Sequence, residues 1–207
     1  MPETKPYHHG NLREALIEAS LALIREVGIR GFTLREVARR AGVSHAAPYR
    51  HFRDKDDLLA VLAEQGFNRL TAAMRAAAAR AHHPFQRLQN AGIAYIEFAQ
   101  DDPERFQVMF SVELDPQVHS SAMEAGESSF AELVRLVAAC PRPSDGPSVE
   151  TLALVAWTQV QGIAELAPRS KLGMKSRKQL IRFAKTATDI LGRGARLIAN
   201  HESLPSR

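Results

Sequence analysis

The sequence predicts an all-α protein of about nine helices, and three observations carry that reading. Apolar residues recur at three- and four-residue spacing through one segment after another, the mark of a single helix face. Gly28, Gly42, Pro84, Pro103 and the proline-rich stretch 140–148 punctuate these segments where helices stop and start. The segment 149–166 is apolar in almost every direction, so it must be buried on more than one side.

The composition fits an ordinary folded chain. It has 207 residues, long enough for a full core, and 45% of them are hydrophobic. The net charge is only +4, so any strongly basic region is a patch and not a property of the whole. Cys140 has no internal partner for a disulfide, and as a small apolar filler it suits a reducing compartment. No apolar run approaches the roughly 20 residues that span a bilayer, and residues 1–10 lack a signal-peptide core. The expectation is a cytoplasmic protein with no membrane contact.

Residues 1–9 read as a loose arm, in which His8 and His9 lack the third ligand a metal site needs. Asn11 is the expected N-cap of a first helix with a stripe of Leu12, Ala15, Leu16, Ala19, Leu23 and Val27, ended by Gly28. Thr33 and Glu36 form a Thr-x-x-Glu capping box opening a second helix. Its face is Leu34, Val37, Ala38 and Ala41, and Gly42 stops it. Ser44 is the expected N-cap of a third, two-turn helix from His45 to roughly His51, with Pro48 near its fourth position.

A helix, a three-residue turn with Gly and a second helix is the layout of a DNA-binding helix-turn-helix, whose second helix lies in the major groove. Seven Arg or Lys lie between Arg30 and Lys55 against Glu36 and Asp54, a local net charge of +5 suited to a polyphosphate. Ser44, His45, Ala46 and Ala47 stand where base edges are reached. Thr33, Arg35 and Arg50 are candidates for phosphate contacts, with capping alone an equal reading for Thr33 and a guanine edge open to Arg50.

Thr33-Leu34…Val37-Ala38…Ala41-Gly42-Val43-Ser44…Tyr49-Arg50-His51-Phe52…Lys55…Leu58-Leu59 resembles the DNA-binding signature of the tetracycline-repressor (TetR-like) regulators. The string Asp102-Pro103-Glu104-Arg105-Phe106-Gln107-Val108-Met109-Phe110 resembles their effector domains more weakly. The resemblance implies that Tyr49 and Lys55 bind backbone phosphates. Pro48 departs from the family, where a larger aliphatic residue is common, so base preferences do not carry over with it.

The remaining chain reads as a body of helices at about 55–79, 85–100, a short one from Pro103, 117–139, 149–166 and 175–199. The expected domains are a helix-turn-helix head over 1–55 and a ligand-binding and dimerisation body over 56–207. The helix 55–79 would belong to both and act as a lever. His82 and His83 precede Pro84 and read as surface loop. Phe67, Leu70, Met74, Tyr95, Phe98, Met109, Phe110, Met123, Phe130 and Trp157 are available to line a cavity, with Gln161, Gln159 and Glu113 as polar anchors. Each is equally the stuff of an ordinary helical core.

The last two long helices offer Leu152, Val155, Val160, Ile163, Phe183, Ala187, Ile190 and Leu191 for pairing with a second chain. Two such helices from each of two chains make a four-helix bundle, the arrangement by which TetR-like proteins dimerise. Residues 169–196 hold nine Lys or Arg against Asp189, a second basic segment that reads as solvent face or as a second nucleic-acid surface.

The function expected from all this is a dimeric, sequence-specific transcriptional regulator. It would be a repressor released from a palindromic operator of double-stranded DNA by an unidentified, mostly apolar effector. A ligand-independent regulator or an activator would use the same head, and a helical protein-interaction adaptor is the more distant reading. An enzyme is not expected: there is no Gly-rich phosphate loop, no His-x-x-x-His pair and no nucleophile elbow. No cofactor and no metal is implied.

Overall fold

The computed structural model describes residues 12–142, 144, 146–168 and 172–201, with side chains as far as residue 194. The arm with His8 and His9, the expected cap Asn11, the basic residues Arg169 and Lys171 and the side chain of Arg196 lie outside this description. The described residues form eight α-helices and one 3-10 turn, with no strand. In order they are α1 (Leu12–Val27), α2 (Leu34–Arg40), the 3-10 turn (Pro48–Arg50), α3 (Lys55–Ala78), α4 (Pro84–Asp101), α5 (Pro103–Ser111), α6 (Ser120–Ala138), α7 (Val149–Leu166) and α8 (Arg177–His201).

Two compact units divide the chain. One comprises residues up to Gly66 together with Glu104–Met123, and the other Phe67–Pro103 and Glu124 onward. Residues of α3 and of α6 fall in both.

The first unit is built on α1, which buries Leu16, Ile17, Leu23 and Ile24, and on α2, which packs against it with Leu34, Val37 and Ala38. Phe32, Phe52, Leu58 and Leu62 complete the core, each almost wholly buried. Gly28 and Gly42 take φ of +76° and +70°, the left-handed conformation that lets a helix stop without Cβ strain. In the same unit α5 comes so close to α3 that a Cβ on Gly66 would meet Met109 Sδ at 2.5 Å.

Two ion pairs tie α5 to α1. Arg25 Nε donates to Glu104 at 2.6 Å, and Arg105, itself buried, lies 3.9 Å from Glu18. The Arg25 guanidinium holds the Glu104 carboxyl below its usual range despite burial.

In the second unit α4 packs against both α7 and α8, which also touch each other. The centre of this layer is Ile93, Ile96, Phe98, Ala153, Val160, Ile163, Leu180 and Ala184, all buried. Val160 and Ile163 are therefore core residues of their own chain, which corrects their expected place in a dimer face. The all-round apolar character of α7 is split: that side is covered, while Leu154 and Val155 are 48% and 43% exposed.

Replacing Gly42 with Ala forces a left-handed L-residue and is expected to cost about 1–2 kcal/mol, read as a lower Tm with the helices retained by circular dichroism.

Candidate nucleic-acid interface

The head presents one exposed loop on a buried base. The capping box forms as the sequence requires: Thr33 N–H donates to Glu36 Oε2 at 2.7 Å and Glu36 N–H to Thr33 Oγ1 at 3.3 Å. The Thr33 hydroxyl also donates to Glu36, at 3.0 Å, so its proton is engaged inside the cap and not directed outward.

Beyond Gly42 the chain departs from expectation. The two-turn helix from His45 to His51 is not an α-helix; only Pro48–Arg50 is regular, as a 3-10 turn without a side-chain cap, and Ser44 does not cap it. Pro48 supplies the reason. It has no N–H to return to the Ser44 carbonyl, which instead accepts from Ala47 at 3.0 Å, three residues on. The i→i+3 pattern continues with Arg50 N–H to Ala47 and His51 N–H to Pro48. Pro48 itself is fully buried and anchors the turn from below.

On the outer side Ser44, His45, Ala46 and Arg50 are exposed, Ala47 is half-buried and Tyr49 is 53% exposed. Arg35 is also exposed. Phe52 is buried beneath Arg13, whose guanidinium lies 5.8 Å from the ring centroid, whereas the neighbouring His51 is exposed.

Lys55 is placed by the chain itself. Its Nζ donates to the Phe32 carbonyl at 3.0 Å and sits 4.3 Å above the Phe32 ring. Burial lowers its pKa from the ordinary lysine range, although Asp56 and Glu36 oppose this. Sequence reasoning had no signal for this contact, which depends on the fold bringing residues 32 and 55 together. It leaves Lys55 half-buried, with two of its three N–H donors unassigned.

Behind the turn, Asp57 collects Arg53 and His119. Arg53 donates its backbone N–H at 2.9 Å and its guanidinium to the carboxylate, and His119 Nε2 lies 3.2 Å from Asp57 Oδ1. The Arg53 guanidinium is the main cause that pulls the Asp57 pKa down to about 2.

The residues expected to line a cavity divide between the units. Met109, Phe110 and Met123 belong to the first. In the second, Tyr95 OH donates to Gln161 Oε1 and accepts from Trp157 Nε1 at 3.2 Å, and the Phe130 ring meets Trp157 edge-on at 6.1 Å between centroids. Burial pushes the Tyr95 hydroxyl above the usual phenol range. Gln161 passes the chain of hydrogen bonds to Glu165 at 3.4 Å. Phe67 lies against Gly126, while Leu70, Met74 and Phe98 are buried core. Gln159 donates to the Ala187 carbonyl, and Glu113 stands exposed.

Among the described residues no group of three or more His, Cys, Asp or Glu could hold a metal ion. No described helix is long and apolar enough to cross a membrane.

Comparison with known proteins adds the family. Residues 16–62 match the family described as "Bacterial regulatory proteins, tetR family", and residues 88–189 match "Tetracyclin repressor-like, C-terminal domain". The chain belongs to the TetR family of transcriptional regulators. This regulator is 39% identical over 79 residues to the HTH-type transcriptional regulator BetI of Serratia proteamaculans; the matched stretch spans 37% of this chain and 40% of that relative. A solved protein of unknown function from Rhodococcus sp. RHA1 is 38% identical with a TM-score of 0.77, covering 93% of this chain and 99% of the other. PfmR, a TetR family regulator from Thermus thermophilus, shares the fold at 17% identity and a TM-score of 0.70, over 86% and 97% of the two chains. The family is one of DNA-binding regulators and not of enzymes.

Two outcomes test this geometry. Lys55→Ala removes a bond and a cation–π contact beneath the turn and is expected to lower stability by about 1 kcal/mol, measured by urea unfolding. Asp57→Asn is expected to destabilise at neutral pH. The group's pKa is depressed in the folded state, so its contribution is present above the unfolded value near 4 and disappears as pH falls through about 2. The gap between the two proteins' unfolding midpoints should therefore close over that window.

Proposed function

We propose that this regulator is a cytoplasmic homodimer that represses transcription from a palindromic operator and is released by a small, mostly apolar effector. The observation that carries the DNA part is the exposed loop 44–50 on its rigid base. His45, Ala46 and Ala47 face base edges, while Arg35, Tyr49 and Arg50 contact phosphates. Thr33 serves as a cap. Lys55 supports the turn and offers its remaining donors to the backbone.

Pairing of two chains is supported by the second unit. Val155, Phe183 and Ile190 are 43%, 40% and 64% exposed, and Leu152, Ala187 and Leu191 beside them are half-buried. Leu154, at 48% exposed, joins this face, where Val160 and Ile163 do not. A side chain such as Ile190 held in water loses the roughly 1.5–3 kcal/mol that burial would return. One turn reads few bases, so two copies on two half-sites supply the specificity.

For the effector, the cluster of Phe130, Trp157, Tyr95 and Gln161 is the anchor. An apolar ligand favours one arrangement of the body, and α3, whose residues fall in both units, carries the shift to the head. By linkage, operator DNA then weakens effector binding by the same factor.

The decisive experiment selects bound sequences from a random duplex pool. An inverted repeat is expected, and a single asymmetric half-site would overturn the dimer. Arg50→Ala is expected to weaken all duplexes alike and flatten the salt slope by about 0.9, whereas His45→Ala should change which operator is preferred. Ile190→Glu is expected to shift the protein to monomer in sedimentation velocity and to lower operator affinity with it.

A further inference from the structure

Helix α8 carries three stripes, and one has no role in the reading above. Leu180 and Ala184 are buried within their own unit, and Phe183 and Ile190 form the exposed apolar stripe. On the remaining flank Lys178, Arg182 and Lys185 stand exposed at i, i+4 and i+7, about 10 Å from first to last along the axis. With Arg177 and Ile181 they line one shallow groove.

The pairing around this groove is uneven. Arg177 is bound to Asp101 and Glu97 on α4, and Arg193 further along is bound to Asp189. Among the described residues Lys178, Arg182 and Lys185 have no side-chain partner. Like charges at this spacing repel weakly along a helix, and a bound anion would relieve that repulsion.

We propose that this groove binds the linked phosphates of a small molecule, such as a nucleoside diphosphate or triphosphate. Linked phosphates concentrate several negative charges within the length of the stripe. Arg182 offers a planar fork to one phosphate, and the two lysines serve as mobile point charges on either side. Ile181 gives the rest of the ligand an apolar floor. The stripe lies away from both the core face and the Phe183–Ile190 face, so it stays open when that face pairs. A specific duplex interface buries on the order of 1,000 Å², more than a groove one helix flank wide provides, which favours the small ligand over nucleic acid.

The test is calorimetric titration of the full chain with sodium tripolyphosphate and with ADP, at low ionic strength and at about 0.5 M salt, where screening is strong. Saturable binding is expected. It should weaken at least tenfold in Lys178→Gln/Arg182→Gln/Lys185→Gln and at high salt, and remain unchanged in Arg193→Gln. Thermal unfolding of the triple variant verifies that it folds, and the three single variants, each weakened less, stand in if it does not. Operator affinity without the probe should be the same in the triple variant, so the reading of the head stands or falls separately. No saturable binding by the parent chain, or equal binding by the variants, overturns the proposal. A variant that keeps tripolyphosphate binding but loses affinity for duplex DNA assigns the stripe to nucleic acid and overturns it as well.

Discussion

An exposed loop of fixed shape needs a buried foundation, and in the head that foundation is Pro48. A loop of seven residues held only by a few i→i+3 bonds would sample many shapes, and each would present Tyr49 and Arg50 differently. Burying Pro48 fully, with Phe52 under Arg13 and Phe32 under Lys55, fixes the turn from the inside and leaves its outer edge open. The ring of Pro48 also sets φ near −65° in advance, so less conformational entropy is lost on folding. The cost is the helix. An α-helical turn would leave several backbone N–H groups free at its start, whereas the 3-10 turn leaves fewer, and the outer edge is made mainly of side chains.

Much of this was legible in the sequence where the determinants are local. Thr33 and Glu36 specify a capping box because both partners lie within one turn, and Gly28 and Gly42 end helices because positive φ penalises every other residue. All eight α-helices fall close to their expected places for the same reason: periodicity and punctuation are properties of neighbours along the chain. The two-turn helix at 45–51 failed because the effect of Pro48 depends on where the helix begins. An N-cap at Ser44 makes the proline tolerable, but the chain caps nothing there and closes the turn three residues later.

The site was less legible than the fold. Lys55 was placed by family resemblance as a phosphate ligand, yet its position over Phe32 is a contact between residues 23 apart and leaves no periodic trace. The same limit applies to α7. A helix apolar in every direction announces two buried sides without saying which residue takes which side. Only the packing against α4 and α8 assigns Val160 and Ile163 inward and Leu154 and Val155 outward. Among the aromatic candidates, Tyr95, Trp157, Phe130 and Gln161 meet through hydrogen bonds and an edge contact that no spacing rule foretells.

Two carboxylates of this chain go inside, and arginines neutralise them from the rim. Glu132 is 4% exposed between Arg75 and Arg135, and Glu104 is 7% exposed under Arg25. An unpaired buried carboxylate would be severely destabilising, and each guanidinium keeps part of its surface hydrated while satisfying it. Other cations face solvent instead, among them Arg35 and Arg50 in the head and Lys178, Arg182 and Lys185 on α8. Folding does not require these charges to be where they are. Exposed and solvated, they stay available to a phosphate-bearing partner.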